Sequence, residues 1–231
     1  MRMVCLQHAE YERPEAVATW ADSRGHSIET VVPLFERYPS PDTFDMLVVM
    51  GGPMGAYEDA AYPWLTAERA FIREAIDAGR LVLGICLGAQ LVAVVLGGDA
   101  HPHTVREVGW FPVRLTDAGR ESAVLSVLPD EFIAGIWHGD TYDLPAGLQT
   151  AAVSDACRNQ AFEACDGRVV GVQFHLEWTR EALRGLADRH GDWLEQGGSY
   201  VQSEREFVDP GPALETGVEL LHGLLDRMEA R

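Results

Sequence analysis

The 231-residue chain contains no lysine, so each of its 18 basic residues is arginine, set against 36 acidic ones. That absence removes whole chemistries. A phosphate-binding P-loop needs its lysine on the β/γ-phosphates, and pyridoxal phosphate or Schiff-base catalysis needs a lysine amine. A formal net charge of −18 without a clustered basic stripe also disfavours a phosphate backbone as partner, so no nucleic acid is expected. The acidic excess reads as a solvated surface. Cysteine is scarce too. Cys5, Cys86, Cys157 and Cys165 show no CxxC or other tight spacing, which argues against a zinc ribbon or a disulfide framework and leaves three of them as buried, reduced thiols. Long apolar runs are missing after the first few residues, so neither a signal peptide nor a membrane span is expected and the chain is assigned to the cytoplasm. His101 and His103 have no third ligand nearby and read as surface or loop residues, and no metal or cofactor is called for.

What is present is an alternation. Hydrophobic residues make up 47% of the chain, enough for a substantial core in a single domain spanning residues 1–231. MVCLQ, SIETVVPL, DMLVVM and LVLGIC read as strands. Between them lie helical segments at about Pro14 to Arg24 and Trp64 to Ala78, and a further helix runs from Gly88 to about Leu96. Parallel strands with crossover helices predict a three-layer α/β/α sandwich around a mostly parallel sheet. After Gly98 the texture shifts to WFPVRL, FIAGIWHGDTYDLP, LQTAAVS, QAFEACD and VVGVQFH, read as strands and hairpins added to that sheet. The catalytic core is placed at about residues 1–180 and a helical extension at 181–231. Within the extension, 180–195 forms one helix, and Leu214, Val218, Leu221, Leu225 and Met228 mark a final helix packing on its own domain. The stretch from Gly197 to Pro212 either covers a site as a lid or merely connects helices.

The stretch LVLGICLGAQ carries the chemistry. A strand of buried character runs through Gly84, Ile85, Cys86, Leu87 and Gly88 directly into a helix, a G-x-C-x-G elbow that pushes Cys86 out above the sheet on a strained turn. Unpaired N–H groups at the helix start favour a thiolate, and the Leu87 N–H points where an oxyanion would form. Gln90 lies one turn along the same helix face, where its carboxamide can meet a substrate beside the thiol. The pentapeptide alone also fits a small buried cysteine in an ordinary α/β turn.

A thiolate that cleaves an amide needs a base that can also protonate the leaving amine, and that base needs an orienting acceptor. VVGVQFHLEWT delivers His175 at a strand's carboxyl end, where sites of open parallel sheets collect, with Glu177 two residues on and on the same side. Gly51, Gly52 and Pro53 form a tight turn after DMLVVM that can offer the Gly52 N–H as a second oxyanion donor, with a plain β-turn as the alternative. His138, Gly139 and Asp140 sit in a loop suited to a charged amino-acid head group, or to an ordinary capped turn.

With these residues in this order, GGP, GICLGAQ, HGD and FHLE resemble the class I glutamine amidotransferases, and are most similar to stand-alone members akin to the amidotransferase portion of GMP synthase. The resemblance implies a flavodoxin-like sandwich. It also implies Cys86 as nucleophile, His175 and Glu177 as its triad partners, Gly52 and Leu87 as the oxyanion hole, and Gln90, Gly139 and Asp140 as contacts to glutamine. Leu176 stands where the family more often has proline, and Ala89 where it has histidine, phenylalanine or methionine; neither departure removes a reacting group. The reaction implied is hydrolysis of the glutamine side-chain amide through a γ-glutamyl thioester, the ammonia passing to a separate synthetase subunit or acceptor. A hydrolase of other γ-glutamyl amides and a non-catalytic relative are the alternatives.

Overall fold

The computed structural model describes residues 1–34 and 37–231. Its first half follows the alternation of apolar runs and helical periods: β1 (Arg2–Leu6), α1 (Glu15–Ser23), β2 (Ser27–Val31), β3 (Met46–Val49), α2 (Trp64–Asp77), β4 (Leu81–Ile85) and α3 (Leu87–Val95). There follow β5 (Asp99–Leu115), α4 (Asp117–Glu121), β6 (Glu131–Asp143), β7 (Thr150–Val153), β8 (Ala161–Ala164), β9 (Val169–Val172), α5 (Arg180–Gln196), α6 (Glu204–Val208) and α7 (Ala213–Glu229). Among the described residues the strands form one sheet in the order β2-β1-β3-β4-β9-β8-β7-β5-β6. The pairings from β2 to β9 are parallel, and those from β9 onward antiparallel.

Two cores enclose the parallel part. Alternate residues of β1, β3 and β4 (Met3, Cys5, Met46, Val48, Leu83, Ile85) pack with Trp20 of α1 and with Leu221, Leu225 and Met228 of α7. Their neighbours on the opposite face (Val4, Leu6, Leu47, Val49, Val82) pack with Phe71 and Ile72 of α2 and with Leu91 and Val92 of α3. Side chains that alternate across a strand thus fill two layers at once, which is why these strands read as unbroken apolar runs. This is the three-layer sandwich expected. The strand order 2-1-3-4 places the topological switch point between β1 and β3, and their carboxyl ends open the crevice where ligands of such sheets bind. The stripe on α7 packs inward, fastened by the Trp20 indole N–H donating to Asp226 Oδ1 at 2.7 Å.

The structure differs from the sequence expectation at several points. His138, Gly139 and Asp140 lie within β6, not in a loop, because β5 and β6 form one long ladder that carries pairing through Trp137 and His138. His101 and His103 are strand residues of β5 rather than loop residues. The segment between Gly197 and Pro212 contains a helix, α6, started by a capping box in which Ser203 and Glu206 satisfy each other's backbone N–H. Cys5 and Cys157 are buried, but Cys165 is exposed in the tight turn between β8 and β9, at φ 53°. Among the described residues no helix is long and apolar enough to cross a membrane.

Candidate active site

β4 ends at Ile85 and α3 begins at Leu87, leaving Cys86 alone in the corner at φ 53°, ψ −109°. A non-glycine residue with that backbone is strained and persists only where its surroundings impose it. They do so here through contact distances that admit no side chain. A Cβ on Gly88 would lie 1.9 Å from the Val49 carbonyl oxygen, and one on Gly84 would lie 2.5 Å from that of Gly88. The glycines of the elbow therefore let α3 descend onto β3 and β4. The first N–H groups of α3, Leu87 among them, have no intrahelical acceptor, and Leu87 lines the cavity in front of Cys86.

The second half of the site arrives from β9. The strand ends at Val172 and the chain bends at Gln173 and Phe174, after which the His175 N–H donates to the Gly135 carbonyl at 2.7 Å. His175 Nδ1 and Glu177 Oε1 are 2.6 Å apart, and the Leu176 N–H donates to Glu177 Oε2 at 3.0 Å, so both carboxylate oxygens are engaged. The Cys86 thiol donates to the Trp137 carbonyl at 3.7 Å and accepts from Gln173 Nε2 at 3.5 Å, with the imidazole of His175 close enough for the thiol to raise its pKa. Burial opposes protonation of His175, but the charge of Glu177, the hydrogen bond that its carboxylate accepts from the imidazole and the nearby Cys86 outweigh it and hold the imidazole well above its ordinary pKa. Trp178 lies flat on the imidazole, with ring centroids 4.1 Å apart and planes 14° from parallel. Phe207 of α6 supports Trp178 edge-on, so the extension braces the histidine.

Gly52, Cys86, Leu87, Gln90, Gly139 and Asp140 line one cavity of about 440 Å³, with His175 and Glu177 buried behind it. A Cβ on Gly52 would lie 2.9 Å from Leu87 Cδ2, which places the GGP turn directly against the residue after the thiol. Gln90 Nε2 donates to Gln173 Oε1 at 3.2 Å, and Gln173 Nε2 donates to Cys86 Sγ at 3.5 Å, so Gln90 is tied to the thiol through a neighbour. Asp140 accepts from the Tyr57 hydroxyl at 3.2 Å, and its burial raises its pKa. On the rim, the Arg106 guanidinium lies 4.4 Å above the ring of Trp193. His138 is a buried part of the same wall, its Nε2 3.2 Å from Glu107 Oε2.

Sequence reasoning missed several residues of the site. Leu186, His190 and Trp193 of α5 close one side of the cavity, whereas residues 197–212 do not line it and instead hold α5 in place from behind, through contacts between α5 and α6. Gln173 carried a local signal, two residues before His175 on the same strand face. Glu12 and Tyr11 come from the loop after β1, at the switch point. The ligand atoms of Glu12, His175 and Glu177 lie within 4.8 Å of one another, the geometry of a possible metal site. Glu177 already accepts hydrogen bonds at both oxygens, from His175 and from Leu176, so the group is organised for proton handling rather than for metal coordination.

A thiol on a strained elbow, an imidazole in contact with it and a carboxylate orienting that imidazole make an arrangement suited to acyl transfer. The family described as glutamine amidotransferase class-I matches residues 18–184. The glutamine amidotransferase-like protein YfeJ of Salmonella typhimurium is 33% identical over 214 residues, covering 90% of this chain and 89% of that protein. GMP synthase of Latilactobacillus sakei is 33% identical over 132 residues, but these are only 24% of its length. Among solved structures, SMU.1228c superposes with a TM-score of 0.92 at 32% identity, covering 99% of this chain and 100% of that one. A glutamine amidotransferase from Thermotoga maritima superposes at 0.87 and 29% identity, covering 99% and 97%. The chain belongs to the class I glutamine amidotransferase family.

Proposed function

We propose that this protein hydrolyses the side-chain amide of glutamine to glutamate and ammonia through a γ-glutamyl thioester on Cys86. The observation that carries this reading is the placing of Cys86 on its strained elbow beside the hydrogen-bonded pair of His175 and Glu177, with Cys86, Gly52 and Leu87 lining one cavity. Cys86 Sγ, its proton passed to His175, attacks the carboxamide carbon. The Gly52 and Leu87 N–H groups hold the resulting oxyanion. His175 returns a proton to the departing nitrogen as the C–N bond breaks and ammonia leaves. Water deprotonated by His175 then attacks the thioester, glutamate is released, and Glu177 keeps the imidazole oriented throughout. Asp140 and the Gly139 backbone hold the glutamine head group beside Gln90. Arg106 on the same rim supplies a positive charge for its carboxylate.

Ammonia released here goes to a separate synthetase subunit or acceptor. A second reading, hydrolysis of other γ-glutamyl amides, is favoured by the size of the cavity and by Tyr11, Leu186, His190 and Trp193 on its outer side, which leave room beyond glutamine itself. Glutamate release from glutamine and from γ-glutamyl peptides, measured beside Cys86→Ala, decides between them. Turnover of glutamine that vanishes in the variant supports the first reading, and peptide turnover far exceeding it sinks that reading in favour of the second.

A further inference from the structure

Glu12 is the one residue of the cluster around His175 that the mechanism above leaves without a task. It sits at the switch point between β1 and β3, with 9% of its surface exposed. Among the described residues its carboxylate accepts no hydrogen bond and forms no ion pair, although it lines the same cavity as Cys86. The site is shaped around it: a Cβ on Gly51 would lie 2.8 Å from Glu12 Oε2 and 3.3 Å from His175 Cε1, so the first glycine of the GGP turn leaves its space to these two side chains. The Glu12 carboxylate is not among the enclosed side-chain groups that lack a partner, so it opens onto the cavity, where a bound ligand can donate to it. The groups facing it are His175, Glu177 and His8; burial, with Glu177 adding to it, raises the carboxyl's pKa, which the two histidines partly offset. Tyr11, the neighbouring residue, is hydrogen-bonded through its hydroxyl to His190 Nε2 at 2.8 Å, which fixes the wall beyond.

We infer that Glu12 is the acceptor of the leaving-group subsite: it takes a hydrogen bond from an N–H of the scissile amide nitrogen and turns that nitrogen's lone pair toward His175. This inference rests on the glutamine-hydrolysis reading and deepens it. As the tetrahedral intermediate collapses, the C–N electron pair moves to nitrogen, the His175 proton is delivered to it, and ammonia leaves with its remaining N–H groups on Glu12. Nothing is oxidised or reduced. Such a subsite selects amides that retain an N–H on the leaving nitrogen and gives no help to an ester, whose leaving oxygen has no hydrogen to donate.

The test compares glutamine with its γ-methyl ester analogue in wild type, Glu12→Met and Glu12→Gln. Methionine fills the space without an accepting oxygen, and glutamine restores one. Loss of the accepting oxygen predicts that the amide-to-ester rate ratio falls roughly tenfold in Glu12→Met and recovers most of the way in Glu12→Gln. Labelling of Cys86 by a glutamine-mimicking electrophile reports that each variant is folded with an intact thiol, and Glu12→Ala is read the same way should the methionine variant fail to fold. Equal losses on amide and ester would overturn the inference, because a structural or purely electrostatic role acts on both. An unchanged ratio would overturn it as well. A wild-type protein that labels at Cys86 but turns over the ester and not glutamine would defeat the underlying reading first, and this inference with it.

Discussion

Replacing Glu177 by glutamine changes one atom and reverses a hydrogen bond. Glu177 accepts twice, from His175 Nδ1–H at 2.6 Å and from the Leu176 N–H at 3.0 Å, in a pocket where both side chains are about 1% exposed. A glutamine there has a single accepting oxygen. With that oxygen kept on the Leu176 N–H, its amide nitrogen faces Nδ1 as a donor and forces the proton onto Nε2, the tautomer that cannot take a proton from Cys86. The imidazolium also loses the carboxylate that does most to hold its pKa up. Removing one partner of a buried charged pair costs about 3–5 kcal/mol. At about 1.4 kcal/mol per tenfold, this predicts a fall in kcat for glutamine of roughly a hundredfold to a few thousandfold, toward the lower end because Glu12 still faces the ring. KM should change little, since Glu177 lies behind the cavity. The assay is steady-state glutamate release, with Cys86 labelling as a check on the fold. Turnover within about twofold of wild type would refute the orienting role.

Four further outcomes are expected. Gly88→Ala should abolish soluble, cooperatively unfolding protein, since its Cβ would overlap the Val49 carbonyl oxygen at 1.9 Å; a thermal melt indistinguishable from wild type would contradict the elbow packing. Trp178→Ala should cost about 3–5 kcal/mol of stability and slow turnover, because it removes the ring on which His175 rests, and denaturant unfolding with parallel kinetics checks both. Native-state alkylation should modify Cys86 and Cys165 but spare Cys5, whose thiol is pushed up to about 12 by burial; peptide mapping reads the result. His175 contributes a raised folded pKa, so its stabilisation is complete below its unfolded value of about 6.5 and is lost as pH rises through the folded value. The thermal midpoint should therefore fall as the pH is raised above about 6.5, and fall less in His175→Asn.

What could be read from the residues alone was what is local along the chain. The elbow declares itself because two glycines, a cysteine and a change from strand to helical period are consecutive, and His175 with Glu177 because they are two residues apart on an extended segment. Glu12 could not be found this way. It meets His175 only because the sheet sets β1, β3, β4 and β9 side by side in that order, an arrangement that no short-range pattern encodes. The bracing of His175 by Trp178 and Phe207 likewise joins residues separated by a whole helix. The helix α6 had a visible start in Ser203 and Glu206, but its five residues are too few to show a period, and the glycines and prolines on either side make the segment look like a plain connection. The HGD residues were misplaced into a loop because glycine and aspartate are turn formers by propensity, whereas pairing with β5 overrides propensity here.

The central claim is that Cys86 forms the bond to the γ-glutamyl group, and acid quenching of the protein during turnover with glutamine, followed by peptide mapping, tests it most directly. A glutamyl adduct on the peptide carrying Cys86, absent from Cys86→Ala together with glutamate release, is the predicted result. Glutamate release that persists in Cys86→Ala, or an adduct on another residue, would contradict it.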